Sequence, residues 1–203
     1  MQKTKTFILA FLAGIFISIG GCVNLLTPGR IMGAIMFSVG LYSIVCFSLN
    51  LFTGKVGYWI DKGWLFIKDL LIILLGNFAG TFIPGFLLSF TRQTAISQGA
   101  TAFAVVKLLD TPQSIFILSV FCGILMFTAV ELYKRTKNPL GIFVCVPVFI
   151  LSGFEHSIAN MFYISAASMW SIKAVIYMII MILGNTAGGL LVPALLKIKD
   201  KIK

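Results

Sequence analysis

Two side chains stand out for chemistry, the adjacent Glu155 and His156 inside VPVFILSGFEHSIANMFYI. From Asn138 to Ile172 they are the only acidic, basic or imidazole groups. An imidazole can donate, accept or pass on a proton, and a carboxylate can accept hydrogen bonds or hold a charge. Ionisable groups at membrane depth are costly and face a cavity or a partner. Gly153, Ser157 and Asn160 surround the pair, so Gly153–Asn160 is the candidate working segment. Intramembrane catalysis needs a nucleophile–base pair, paired carboxylates or a metal cluster. One histidine and one neighbouring glutamate do not supply these, because sequence neighbours on a helix point apart. No enzymatic activity, metal or cofactor is therefore expected. Cys22, Cys46, Cys122 and Cys145 lie in apolar stretches without metal-ligand spacing and read as small packing side chains.

The surrounding chain fits a membrane. Of its 203 residues, 59% are hydrophobic and 11% charged, and the mean hydropathy is +1.04. Charge-free windows run over Thr6–Gly29, Ile31–Gly54, Leu70–Thr91, Thr111–Val130 and Ala174–Leu196, with Asn138–Ile172 as a sixth. Runs of that length identify membrane spans rather than a soluble core. Cleavage of the first span as a signal segment is not expected, since its apolar run is long and no soluble domain follows.

The net charge of +10 is distributed unevenly. With six spans, Lys3, Lys5, Lys55, Lys62, Lys68, Lys134, Arg135, Lys137, Lys197, Lys199, Lys201 and Lys203 share one side. Arg30, Arg92, Lys107 and Lys173 occupy the other. That asymmetry predicts cytoplasmic termini and contact with the anionic lipids of the bilayer, and it argues against nucleic-acid binding. Tyr58, Trp59, Trp64, Tyr133 and Trp170 read as interfacial anchors.

An internal repeat organises the spans. LGNFAGTFIPGFLL at Leu75–Leu88 is echoed by LGNTAGGLLVPALL at Leu183–Leu196. The copies fall in the third and sixth spans, so each half has three spans and the second half is inverted. The expectation is one transmembrane domain over 1–203, with repeats at about 6–92 and 112–198. Polar, glycine-containing stretches interrupt the second span near Thr53 and the fifth near Ser157, and such breaks line cavities. The half-helices that start there would point partly positive N-termini at the centre, which favours an anion. Glu155 then reads as a carboxylate capping backbone N–H groups at the break alongside Gly153 and Ser157, with proton transfer as its other role.

SGFEHSIANMF at Ser152–Phe162 resembles the signature of the formate–nitrite transporter family. The likeness extends to AGIFISIG at Ala13–Gly20, FSVGL at Phe37–Leu41, LFTG at Leu51–Gly54 and both Gly-Asn-x-x-Gly motifs. The resemblance implies an all-α integral membrane protein of six aquaporin-like spans, forming a homopentamer in which each protomer has its own pore. By the same resemblance His156 corresponds to the central pore histidine and Thr53 to the threonine that approaches it. Phe37, Leu41, Leu51 and Phe149 correspond to apolar constrictions, and Lys107 to the lysine near the external mouth. Lys107 stands about one helical turn farther from Cys122-Gly123 than the family pattern implies. The family's fourth span carries an Asn facing the histidine, and Phe127 holds the corresponding position here, which makes it a selectivity position. No long N-terminal helix of the kind that gates some members is expected ahead of the first span.

The functional expectation is a prokaryotic cell-membrane channel or transporter for a small monovalent anion of the formate, nitrite or hydrosulfide class. A bare anion crossing apolar constrictions carries a large desolvation cost. Lys107 and the half-helix ends would draw it in, and proton sharing near His156 would lower the barrier. Asn160 joins His156, Thr53 and Lys107 as a candidate pore or substrate-binding residue. An aquaporin-like channel for neutral solutes is the alternative; the Asn-Pro-Ala pairs of that class are missing from the sequence.

Overall fold

A computed structural model describes residues 2–202, and among these the chain is helical throughout, joined by turns and short extended segments. Four helices are long and apolar enough to cross a membrane: α1 (Gln2–Leu26), α5 (Phe66–Leu88), α7 (Pro112–Thr136) and α10 (Ile172–Lys199). The shortest has 23 residues, or about 35 Å at ~1.5 Å per residue, against a hydrocarbon core of ~30 Å. A helix satisfies its own backbone, the condition for standing in lipid. Local signals set the starts: Thr111 Oγ1 accepts from Ser114 N with Pro112 just inside α7, and Ser171 Oγ accepts from Ala174 N at α10.

Two shorter apolar helices end early and resume after a break. α2 (Arg30–Cys46) stops short, and the chain resumes as α3 (Phe52–Lys55), a 3-10 turn at Val56–Tyr58 and α4 (Trp59–Lys62). α8 (Leu140–Leu151) likewise stops before α9 (Ser157–Ala166). Both stops have the same geometry. Ser48 (φ 54°) and Gly153 (φ 70°) take the left-handed conformation. The next residue reaches back five positions, Leu49 N to Ile44 O and Phe154 N to Phe149 O, each at 2.9 Å. This is the reversal that closes a helix C-terminus.

One more helix lies between the third and fourth apolar windows. α6 (Thr94–Leu109) buries Ile96, Ala100 and Ala104 against α1 and α9. At 16 residues it is shorter than the four spanning helices, and Arg92 and Lys107 bound its charge-free run.

The long helices pack as α1 with α5 and α7 with α10, through the repeated glycines. A Cβ on Gly80 would collide with Phe11 O, and one on Gly188 with Val120 O. Small residues let helix backbones approach in this way. Gly188→Val is therefore expected to force α7 and α10 apart, read as loss of a monodisperse peak on size-exclusion chromatography in detergent; an unchanged peak would contradict the close approach.

Candidate functional site: a histidine at the meeting of two broken helices

The breaks are held by the asparagines of the repeated motif. Asn77 on α5 accepts from Phe52 N through Oδ1 and donates through Nδ2 to Asn50 O and Ala10 O, all at 2.8 Å. Asn185 on α10 makes the corresponding bonds, also at 2.8 Å: it accepts from Ser157 N and donates to Glu155 O and Ser119 O. Asn50 N donates to Leu9 O and Glu155 N to Leu118 O, each at 3.3 Å. Each amide thus supplies one acceptor and one donor to backbone left open at a break. Its second donor ties the break to a carbonyl of the continuous helix beside it, Ala10 O of α1 or Ser119 O of α7, with both side chains at 0% exposure. The repeat points to these two residues, but their role as the ties of the breaks is visible only in three dimensions.

The ties bring the two breaks face to face. Thr53 Oγ1 lies 3.0 Å from His156 Nε2. His156 is extended (φ −96°, ψ 109°) and caps α9, its Nδ1 accepting from Ala159 N at 3.0 Å. An Nδ1 that accepts carries no proton, so a neutral ring holds its proton on Nε2 and donates it to Thr53. The imidazole also stacks on Phe149 (5.5 Å between centroids, 30°), and Phe149 meets Phe37 edge-on at 5.7 Å. Phe37, Leu41, Leu51 and Phe149 are all buried.

Glu155 departs from the role expected of it. Its carboxylate caps no backbone N–H among the described residues: Oε2 accepts from Lys107 Nζ at 2.7 Å and Asn160 Nδ2 at 2.6 Å. The capping falls to His156 Nδ1 and Asn185 Oδ1, while the Glu155 carboxylate bridges Lys107 of α6 and the Asn160 side chain in the first turn of α9. Lys107 likewise does not stand free at a mouth. It is paired and largely buried, with 11% side-chain exposure, so its charge is compensated within the protein. Asn160 also approaches Met181 Sδ at 3.1 Å. Ser157 Oγ is buried and has no hydrogen-bond partner among the described residues.

Phe127 makes no ring contact with His156 among the described residues. Its ring packs at 5.8 Å on Tyr58 and against Gly57, where an added Cβ would fall 2.5 Å from the Phe127 ring atom Cε2. Tyr58 itself is more than an interfacial anchor, since its hydroxyl donates to Glu131 Oε2 at 2.7 Å and ties the first break to α7. Arg30 on the opposite face donates to Leu151 O at 3.0 Å, at the end of α8. Cys122 and Cys145 are buried in the packing as expected, whereas Cys46 is exposed, 3.4 Å from Tyr133 Oη.

Two cavities flank the centre, and no residue lines both. The smaller, about 40 Å³, is lined by Lys107, Phe149, His156, Asn160, Phe103 and Tyr163 among others. The larger, about 320 Å³, has Leu51 in its wall together with Gly54 and Lys55 of α3.

Apolar helices of spanning length, interrupted helices and a buried polar centre define a multi-pass membrane protein of the transporter class. The family model for formate/nitrite transporters matches residues 1–198, and the chain belongs to that family. It is 28% identical over 151 residues to the formate channel FocA of Haemophilus influenzae, covering 66% of this chain and 53% of that protein. It is 32% identical over 185 residues to the formate channel FocA of Escherichia coli K12, covering 79% and 65%. The chain thus spans between half and two thirds of the length of these relatives. Its fold matches a pentameric formate channel with formate bound at a TM-score of 0.84, with 24% identity and coverage of 100% and 98%. It also matches an FNT family ion channel at 0.83, with 22% identity and coverage of 95% and 88%.

Proposed function

We propose that the chain conducts small monovalent anions of the formate, nitrite or hydrosulfide class across the membrane, along a path through each protomer past His156 and Thr53. The observation that carries this reading is the 3.0 Å contact between Thr53 Oγ1 and His156 Nε2, where the two broken helices meet between the two cavities. Family membership and the formate-channel relatives support the substrate class. In this reading the chain is one domain of six spans, α2 with α3–α4 and α8 with α9 each counting as one. Its halves, about 6–92 and 112–198, are inverted repeats, for which the matching Asn77 and Asn185 ties are the structural support. The lysine-rich side, with both termini, is cytoplasmic in a prokaryotic cell membrane. Protomers assemble as a homopentamer, supported by the pentameric structural neighbour and by outward apolar side chains such as Leu75 and Val106, 62% and 71% exposed.

The chemistry follows from the site. An anion leaving water for the apolar centre loses hydration that Phe37, Leu41, Leu51 and Phe149 cannot replace. The N–H on His156 Nε2, now given to Thr53, is the donor poised to meet it, and α9 begins beside it with its partly positive end. Thr53 Oγ1 stands beside that donor and adds its own O–H to the passing anion. A proton shared with the anion at this point, and resupplied by water, lowers the charge that must pass the constriction. Lys107 and Asn160 line the approach on the smaller-cavity side, their charge balance with Glu155 setting the field there.

The test is flux in proteoliposomes of formate, nitrite and hydrosulfide, with stopped-flow swelling in glycerol as the neutral-solute control. Anion flux without glycerol permeation is the expected result; glycerol permeation without anion flux would overturn the reading. Thr53→Ala is expected to lower anion flux by about tenfold, the weight of one hydrogen bond at roughly 1–1.5 kcal/mol. A silent Thr53→Ala would remove the first break from the path.

A further inference from the structure

The larger cavity is lined by more positive charge than one monovalent anion balances. Lys55, Lys62, Lys134 and Lys137 all line it, together with Tyr58 and Tyr133, and no Asp or Glu is among its lining residues. The nearby acids are engaged elsewhere. Glu131 accepts from Tyr58 at 2.7 Å and Arg135 at 2.6 Å, leaving Lys134 at 4.0 Å. Asp61 pairs with Lys197 at 3.1 Å.

Aromatic rings hold three of the ammonium groups in place. Lys134 Nζ lies 4.3 Å from the centre of the Tyr58 ring, Lys62 Nζ 4.4 Å from Phe66 and Lys137 Nζ 5.8 Å from Tyr133. A ring face orders a cation without neutralising it. Lys137 is further set by its left-handed backbone, φ 58°, at the end of α7. Lys55, on α3, has no ion-pair partner among the described residues.

Four like charges around one cavity repel one another, most strongly at the half-buried Lys55, with Lys62, Lys134 and Lys137 exposed at the rim. A single negative charge balances only part of them. An anion with two or more charges, and oxygens enough to accept from several ammonium groups, balances most. The floor at Ile44, Leu49 and Leu51 offers it no hydrogen bonds, so it is held at the lysines, above Leu51. A volume of about 320 Å³ holds one or two phosphate groups. The geometry points to a binding site here for a multivalent phosphate-type anion, free in solution or presented as a lipid headgroup, which closes the approach to Leu51 when occupied. The binding stands on the cavity alone; the closure rests on the proposed path past Leu51.

Diphosphate is the probe. Calorimetric titration of the purified protein in detergent is expected to show binding that Lys134→Gln/Lys137→Gln weakens by about tenfold or more and that Lys134→Arg/Lys137→Arg retains. In phosphatidylcholine vesicles, diphosphate on both sides is expected to lower formate flux through the wild type by about half, as mass action gives at a concentration near the Kd, and to spare the glutamine variant. An equal fall on adding phosphatidic acid without diphosphate assigns the occupant to the lipid. No binding, or binding indifferent to the glutamine pair, overturns the site. Binding that needs the lysines but leaves formate flux untouched overturns the closure. Binding in a protein that moves no anion in any vesicle upholds the site and fails the transport reading instead.

Discussion

Asn185→Leu is expected to cost the protein its stability and its transport together. The substitution nearly preserves volume, so it isolates the polar role of the side chain. Asn185 accepts from Ser157 N and donates to Glu155 O and Ser119 O, all at 2.8 Å and fully buried. With no water at that depth to replace the amide, each orphaned backbone group costs about 1–3 kcal/mol. The two groups at the break, Ser157 N and Glu155 O, sum to about 2–6 kcal/mol, a fall in Tm on the order of 10 °C for a chain of this size, while Ser119 O keeps its place inside α7. Flux falls for a separate reason: Ser157 starts α9 directly after His156, so freeing its N–H frees the imidazole. Asn77→Leu is the matching experiment at the first break, where it releases Phe52 N beside Thr53. Thermal unfolding in detergent and formate flux are the measurements. An Asn185→Leu protein with unchanged Tm would show that the break is held by packing alone.

His156→Phe separates chemistry from scaffold. Phenylalanine keeps the ring that stacks on Phe149 and most of the volume, but it loses both nitrogens. Loss of the Nδ1 cap on Ala159 N costs about 1 kcal/mol of stability, small enough to leave the assembly folded. Loss of the Nε2 donor removes the one polar group opposite Thr53. A hydrogen bond to a charged partner is worth about 1.5–3 kcal/mol, so anion flux is expected to drop by about tenfold to a hundredfold and to lose its dependence on pH. Flux of formate from pH 5 to 8, with the assembly checked by size-exclusion chromatography, measures it. Unchanged flux with an unchanged pH profile would sink the proposed role of the imidazole.

Much of the site is legible in the linear chain. The pair Glu155–His156 stands out because charge is rare in apolar runs, and the breaks stand out because serine and glycine interrupt them. The repeated Gly-Asn motif marks both close helix packing and the residues that tie the breaks, yet only the first of these meanings is readable locally. The residue matching His156 in the first break is Leu51, by the parallel of Phe52 with Ser157 under their asparagines. Thr53 lies two positions beyond Leu51, and its contact with the imidazole depends on how the two breaks cross.

The remaining differences share a cause. Lys107 and Glu155 are 48 positions apart, and no local pattern says that α6 lays one against the other. The same holds for Phe127, whose span is plain but whose facing is set by Gly57 and Tyr58. By itself the sequence determined the apolar spans, the places where they break and the residue types available there, because hydropathy and backbone preference act over a few neighbours. The tertiary structure alone decided which side chain caps, which pairs and which faces the centre. Those choices depend on helix faces meeting across the bundle, where a turn of 100° per residue exchanges one partner for another.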